Sequence, residues 1–180
     1  MRYALSFSAP FGPMAILWRA PDDSPRITQI LLPRPDGGAA AWPAGLAQRS
    51  CAAIDGLVAL LQRYFAGEIV TLPLDLAALE ACSPFQRRVL AAEYAIPRGR
   101  VSTYGLIAAH LGAPGAGRAV GRAQATNPFP ILIPCHRAVR ADGALGGYQG
   151  GPAMKRALLE MEGVPLDGAG RVLGPWHYAR

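Results

Sequence analysis

Cys135 stands in the run Ile131-Leu132-Ile133-Pro134-Cys135-His136-Arg137-Ala138, between a proline and two residues that can be cationic. Proline fixes its own φ and removes an amide donor, so a stiffened segment delivers the thiol. A free cysteine ionises near pH 8.5, and neighbouring positive groups lower that value and turn an inert thiol into a thiolate nucleophile. Cys135 is therefore a candidate nucleophile in an electropositive collar. The alternative is a small hydrophobe ending a buried strand, the usual fate of a free cysteine.

The remaining cysteines, Cys51 and Cys82, and the histidines His110, His136 and His177 are scattered. Three widely spaced cysteines form neither a disulfide framework nor a pair with metal-ligand spacing, so no structural zinc is expected. Cys51 and Cys82 read as packing residues. A thiol hydrolase built on Cys135 and His136 is disfavoured, because adjacent residues seldom supply the separately mounted, aligned pair that such chemistry uses.

The elements that position Cys135 follow from periodicity. Tyr3, Leu5 and Phe7 alternate, as do Met14, Ile16 and Trp18, with turn residues Pro10 to Pro13 between them, which predicts a hairpin. Ile27 to Leu32 reads as a third strand and Pro33 to Gly38 as an exposed loop. A helix is expected from about Leu46 to Ala66, with Ile54, Leu57, Val58, Leu61, Tyr64 and Phe65 on one face and Gly67 as its stop. Residues 68–82 form an extended, proline-interrupted link.

A second helix starts at Ser83-Pro84-Phe85-Gln86, where an N-cap serine, a proline at the first position and a glutamine placed to close a capping box coincide. It buries Phe85, Val89 and Leu90. Ser102 or Thr103 caps a short helix from Tyr104 to Leu111, and another runs from about Arg118 to Ala125, halted by Asn127-Pro128. Two short helices joined by a glycine-containing turn predict a helix-turn-helix. Five glycines from Gly143 to Gly151 suit a loop whose backbone approaches a ligand or another chain segment closely. A last helix starts at Pro152 and ends at Glu162-Gly163, and Arg171 to Leu173 forms a short strand.

The 180 residues are 51% hydrophobic, ample for a packed core, and no apolar run approaches the roughly 20 residues of a membrane span. No signal peptide is visible, and a soluble, cytoplasmic protein is expected. The net charge of +6 is uneven. Residues 1–83 hold six arginines against seven acids, a net of −1, and residues 84–180 hold twelve basic residues against five acids, a net of +7. A basic segment is the electrostatic footprint of a polyanion such as DNA.

In their order, several motifs together resemble the O6-alkylguanine-DNA alkyltransferases, also called methylated-DNA-protein-cysteine methyltransferases. The likeness runs from about Leu61 to Gly163. It rests on Leu72 to Leu76, Phe85-Gln86, Ile96-Pro97 with Gly99, Thr103-Tyr104-Gly105, Arg118 to Gly121, Asn127-Pro128, Pro134 to Arg137, Gly147-Tyr148, Gly150-Gly151 and Glu162-Gly163. The resemblance implies direct, single-turnover transfer of an alkyl group from O6-alkylguanine, and O4-alkylthymine, in duplex DNA to Cys135, without cofactor or metal. It implies that His136 takes the thiol proton through a water and is oriented by Glu162. Tyr104 would donate to the purine, Asn127 would brace the turn before the cysteine, and Arg118 would enter the stack in place of the flipped nucleotide. The recognition helix would enter the minor groove, with Thr103, Tyr104, Ala119 and Ala123 at the DNA. Pro134, the backbone of Ala138, Tyr148 and Gln149 would line the guanine pocket.

Departures from the family pattern are Ala138 in place of a frequent valine, Leu90 in place of a frequent tryptophan, and Gln149, which could restrict bulky alkyl groups. Alkyltransferase-like sensors carry tryptophan at the cysteine position, so Cys135 favours transfer. A transcription-regulating relative would need further domains that 180 residues do not hold. The expected fold class is α+β. A small antiparallel sheet with a helix occupies 1–82, and a mainly helical, winged-helix-like domain with the helix-turn-helix occupies 83–180. The protein is expected to act as a monomer, with cooperative binding along DNA open to it.

Overall fold

The computed structural model describes residues 2–34 and 45–179. The chain divides into two compact units, residues 1–81 with 128–132, and residues 82–127 with 133–180.

In the first unit, β1 (Arg2–Phe7) and β2 (Met14–Arg19) form the expected antiparallel hairpin, with Arg2 opposite Arg19 and Phe7 opposite Met14. β3 (Arg26–Leu31) pairs with β2, with a register shift at Leu17 and Trp18. The two-residue β4 (Ala47–Gln48) lies parallel to β1, giving the order β3-β2-β1-β4. The central β2 is buried from Met14 to Trp18. Ile30 N donates to the Pro128 carbonyl at 2.7 Å.

The helix expected from Leu46 begins six residues later, as α1 (Ala52–Phe65). The backbone before it is spent on the sheet, since Ala47 and Gln48 pair with Tyr3 and Ala4 and Arg49 N donates to Ala4 O at 3.0 Å. Cys51, expected inside the helix, is its extended N-cap residue. The buried face is the predicted one, Ile54, Leu57, Leu61, Tyr64 and Phe65, with Val58 half-buried. Burying each such side chain stabilises by about 1.5–3 kcal/mol. Most of the predicted loop at Pro33 to Gly38 lies outside the described residues, from 35 onward.

In the second unit, α2 spans Pro84–Tyr94 and is capped as predicted, with Ser83 Oγ accepting from Gln86 N at 3.2 Å. The reciprocal half of the box does not form. Gln86 Nε2 instead donates to Ala123 O (3.1 Å), Thr126 O (3.1 Å) and Thr126 Oγ1 (3.0 Å). The side-chain amide is committed by its N–H groups to these acceptors and does not fold back to offer its oxygen to the Ser83 amide.

Thr103 is the N-cap of α3 (Tyr104–His110), its Oγ1 accepting from Leu106 N at 3.1 Å, and α4 follows at Gly117–Ala125. The two helices meet closely at their starts, where a Cβ on Gly117 would lie 3.5 Å from Gly105 N. Val89, Ile96, Ile107, Ala108, Val120 and Ala138 form the core that α2, α3 and α4 share. A parallel two-residue ladder joins β5 (Ser102–Thr103) to β6 (Ala138–Val139), and α5 spans Gly151–Met161. The strand expected at Arg171 to Leu173 reduces to one bridge between Val172 and Leu166, made by Leu173 N on Pro165 O (3.0 Å) and Asp167 N on Arg171 O (2.8 Å), while Val172 N donates to Gly143 O (2.9 Å). No helix among the described residues is long and apolar enough to cross a membrane.

Gln86→Ala is expected to cost about 1 kcal/mol, read from the urea midpoint. In double-mutant cycles that cost should couple to Thr126→Ala and add to Ser83→Ala. Coupling to Ser83 instead would reinstate the capping box.

Candidate active site

The apolar run before the cysteine forms no strand. Ile131 has φ 71°, a left-handed conformation that is costly for a β-branched residue, and Pro134 leads into a 3-10 turn over Cys135–Arg137. Cys135 opens this turn, with its amide donating to Ile133 O at 2.8 Å. The thiol is 6% exposed and lines a cavity of about 300 Å³. Tyr104 forms one wall, Gly121, Gln124 and Ala125 of α4 a second, and Gly147, Tyr148 and Gln149 of the glycine-rich loop a third.

Sequence-expected residues converge here by several routes. Tyr104 reaches the cavity from the first turn of α3. Gly146 holds φ +71°, and a Cβ there would lie 2.9 Å from the Tyr104 hydroxyl, so only glycine leaves that hydroxyl its place. Asn127 is 2% exposed, donates to Ile133 O at 3.2 Å and hydrogen-bonds Cys135. Pro134 and Ala138 are buried on either side of the turn. Tyr148 meets the His136 ring edge-on at 6.2 Å. Gln149, expected to narrow the pocket, is turned back by its amide onto Asn127 O (2.8 Å) and Ala125 O (3.3 Å).

Behind the thiol lies a buried chain of charge. His136 Nε2 is 3.1 Å from Glu162 Oε1, and both side chains are wholly buried. Arg137 grips the same carboxylate twice, Nε to Oε2 at 2.8 Å and Nη2 to Oε1 at 2.7 Å, and donates its third nitrogen to Ile96 O at 2.6 Å. Burial works against charge on Glu162, but His136 and Arg137 outweigh it and hold the carboxyl well below the usual range. Burial lowers the His136 pKa, so the ring stays neutral near pH 7. A neutral ring donating Nε2–H to the carboxylate keeps its lone pair on Nδ1.

The electropositive collar is therefore spent. Burial pushes the Cys135 thiol up to about 12, Glu93 adds to the rise, and the Asn127 hydrogen bond and Lys155 only partly offset it. The resting protein holds a thiol. Three contributors carried no local signal in the sequence: Glu93 on α2, Lys155 on α5, whose Nζ donates to Ala138 O at 2.6 Å, and Gln124. They read as helix residues, because only the tertiary fold turns them inward.

On α4, Arg118, Ala119, Arg122 and Ala125 are exposed, whereas Ala123 is 8% exposed and faces the core. Thr103 is likewise buried, with its hydroxyl committed to the cap of α3. The exposed face thus gains Arg122 and lacks Ala123. Among the described residues no group of three His, Cys, Asp or Glu could hold a metal ion.

Residues 84–164 match the family model described as 6-O-methylguanine DNA methyltransferase, DNA binding domain. A methylated-DNA--protein-cysteine methyltransferase of Methanothermobacter thermautotrophicus is 45% identical over 116 residues, 64% of this chain and 65% of that protein. One of Mycobacterium bovis is 49% identical over 112 residues, 61% of this chain and 66% of that protein. The alignments thus span just under two thirds of these relatives. Among solved structures, a variant of the Mycobacterium tuberculosis O6-methylguanine methyltransferase superposes with TM-score 0.74 at 35% identity, covering 94% of this chain and 98% of that one. The Mycobacterium tuberculosis OGT in complex with DNA superposes with TM-score 0.73 at 37% identity, covering 89% and 92%.

Because Glu162 has a depressed folded-state pKa, its stabilisation is present above the unfolded value near 4.5 and is lost as pH falls through the folded value. Glu162→Gln is expected to cost about 3–5 kcal/mol at pH 7, since it strands a buried guanidinium. The gap from the wild type should narrow as urea midpoints are taken to lower pH below that value. A gap that is constant with pH would show that the carboxylate charge contributes nothing.

Proposed function

The chain belongs to the methylated-DNA--protein-cysteine methyltransferase family, and from that membership we propose that it repairs duplex DNA by moving the alkyl group of O6-alkylguanine onto Cys135, once per molecule. The observation that carries the reading is a single thiol at the wall of a base-sized cavity, backed by the buried His136–Glu162–Arg137 chain. A purine with a small O6 substituent suits a cavity of about 300 Å³ with an aromatic wall.

In this reading the Cys135 proton passes to Nδ1 of His136, directly or through a water, as the sulfur attacks the alkyl carbon. The carbon–O6 bond breaks with its electron pair going to the guanine, and the Tyr104 hydroxyl, whose own pKa burial raises, donates a hydrogen bond to the departing base. A stable thioether remains, and nothing in the site reverses it. Neutral His136 accepts the proton, and ionised Glu162 stabilises the imidazolium that results. Holding the thiol protonated until a base fills the cavity protects it from other electrophiles.

A base inside a duplex cannot reach a buried sulfur, so the nucleotide is turned out of the stack, and Arg118 at the exposed start of α4 fills the gap. Ala119 allows close approach in the minor groove, and Arg122 adds a phosphate contact. Residues 83–180 carry DNA binding and alkyl transfer together. O4-alkylthymine is a second substrate of the same chemistry.

The decisive test is intact mass after incubation with a short duplex carrying one O6-methylguanine. One methylene unit should be gained per protein and none by Cys135→Ser; absence of the gain with lesion binding intact would replace transfer with sensing. His136→Ala should slow single-turnover transfer by about 10²- to 10⁴-fold. Arg122→Ala should reduce the slope of log affinity against log salt by about one.

A further inference from the structure

Glu93 lies on α2 among Val89, Leu90 and Ala92, which are buried. It is 0% exposed, and neither carboxyl oxygen has a hydrogen-bond partner among the described residues. A buried carboxyl without a partner is costly where an apolar residue would pack freely. The charged and titratable groups facing it come from every neighbouring element. α5 supplies Lys155, wholly buried, with Nζ on Ala138 O at 2.6 Å and near Gly147 O at 3.5 Å. The 3-10 turn supplies Cys135, and α3 supplies Tyr104. α4 keeps its arginines, Arg118 and Arg122, exposed, and the tail brings Tyr178, whose hydroxyl donates to Ala92 O at 2.8 Å.

We propose that Glu93 is a positioning residue for the transfer step, acting through Lys155 to set how much cationic support the Cys135 thiolate receives. This rests on the alkyl-transfer reading and extends it to a residue outside the cavity. Lys155 is within electrostatic reach of both Cys135 and Glu93, and its other partners are neutral carbonyls. While Glu93 is protonated, the Lys155 charge acts on the sulfur. Once Glu93 releases its proton, the carboxylate claims that charge and also repels the thiolate and the Tyr104 oxygen. Burial raises the Glu93 pKa well above the ordinary carboxyl value, which keeps the permissive, protonated form through neutral pH. Burial lowers Lys155 to about 8, so its support fades in the same direction as pH rises.

Glu93→Gln preserves shape and cannot ionise. In the full chain, the rate of Cys135 carboxamidomethylation by iodoacetamide, located by peptide mass, is followed from about pH 6 to about pH 10. Single-turnover methyl transfer from an O6-methylguanine duplex is followed in parallel. The two proteins should coincide at the acid end, and Glu93→Gln should lead by on the order of threefold to tenfold near pH 8, where Lys155 still carries part of its charge. In a Lys155→Met background that lead should shrink. Identical profiles at every pH, a pH-independent ratio, or a lead unchanged without Lys155 would each overturn the proposal. The iodoacetamide arm needs no DNA. A pH-dependent lead there without methyl gain by the wild type would strike the alkyl-transfer reading and leave the Glu93 assignment standing.

Discussion

The site depends on the two-pronged grip of Arg137 on Glu162. One guanidinium joins the turn bearing the thiol to the end of α5 through the carboxylate and to the end of α2 through Ile96 O. Planar fork-to-fork geometry makes this the strong kind of ion pair, and a buried carboxylate stays ionised only with such a partner. The order of dependence is definite. Arg137 fixes the charge of Glu162, Glu162 fixes the tautomer and tilt of His136, and His136 then presents its lone pair on the other side of the ring. Arg98 reinforces the junction by donating to Met161 O at 2.8 Å.

Electrostatics at the sulfur run against first intuition. Two cationic-looking neighbours in sequence do not activate Cys135, because one is neutral and the other is neutralised. What remains is desolvation, which favours the thiol. Under the proposed function, a bound base and a moving proton change that balance. The Asn127 hydrogen bond and the charges of Lys155 and Glu93 adjust that balance and do not reverse it.

Legibility in the sequence followed the range of the interaction. Caps at Ser83 and Thr103, the hairpin and the buried stripe of α1 are local patterns, and the chain adopts them as read. α1 begins later than its periodicity predicts because its approach pairs with β1, more than forty residues away in the chain. The spacing predicts Gln86 in its own helix cap, yet its side-chain partners are at Ala123 and Thr126. The alternative that the apolar residues before Cys135 form a strand fails, because the left-handed Ile131 and the following proline make a turn. For the site, Cys135, His136, Tyr104 and Asn127 stood in a recognisable order of motifs. Glu93, Lys155 and Gln124 did not, since an inward-facing polar residue on a helix has the same local sequence as an outward-facing one.

Two adjacent glycines of the loop, of which Gly147 lines the cavity, differ in kind. Gly146 excludes every side chain twice over, by its left-handed backbone and by the Tyr104 hydroxyl that a Cβ would strike. At Gly147 an added Cβ would meet nothing within 4 Å. Neutral drift and laboratory evolution therefore have one open door rather than two. Across a saturation library of this loop, position 146 would be a blank column, and new substrate scope would accumulate on the wall that begins at 147.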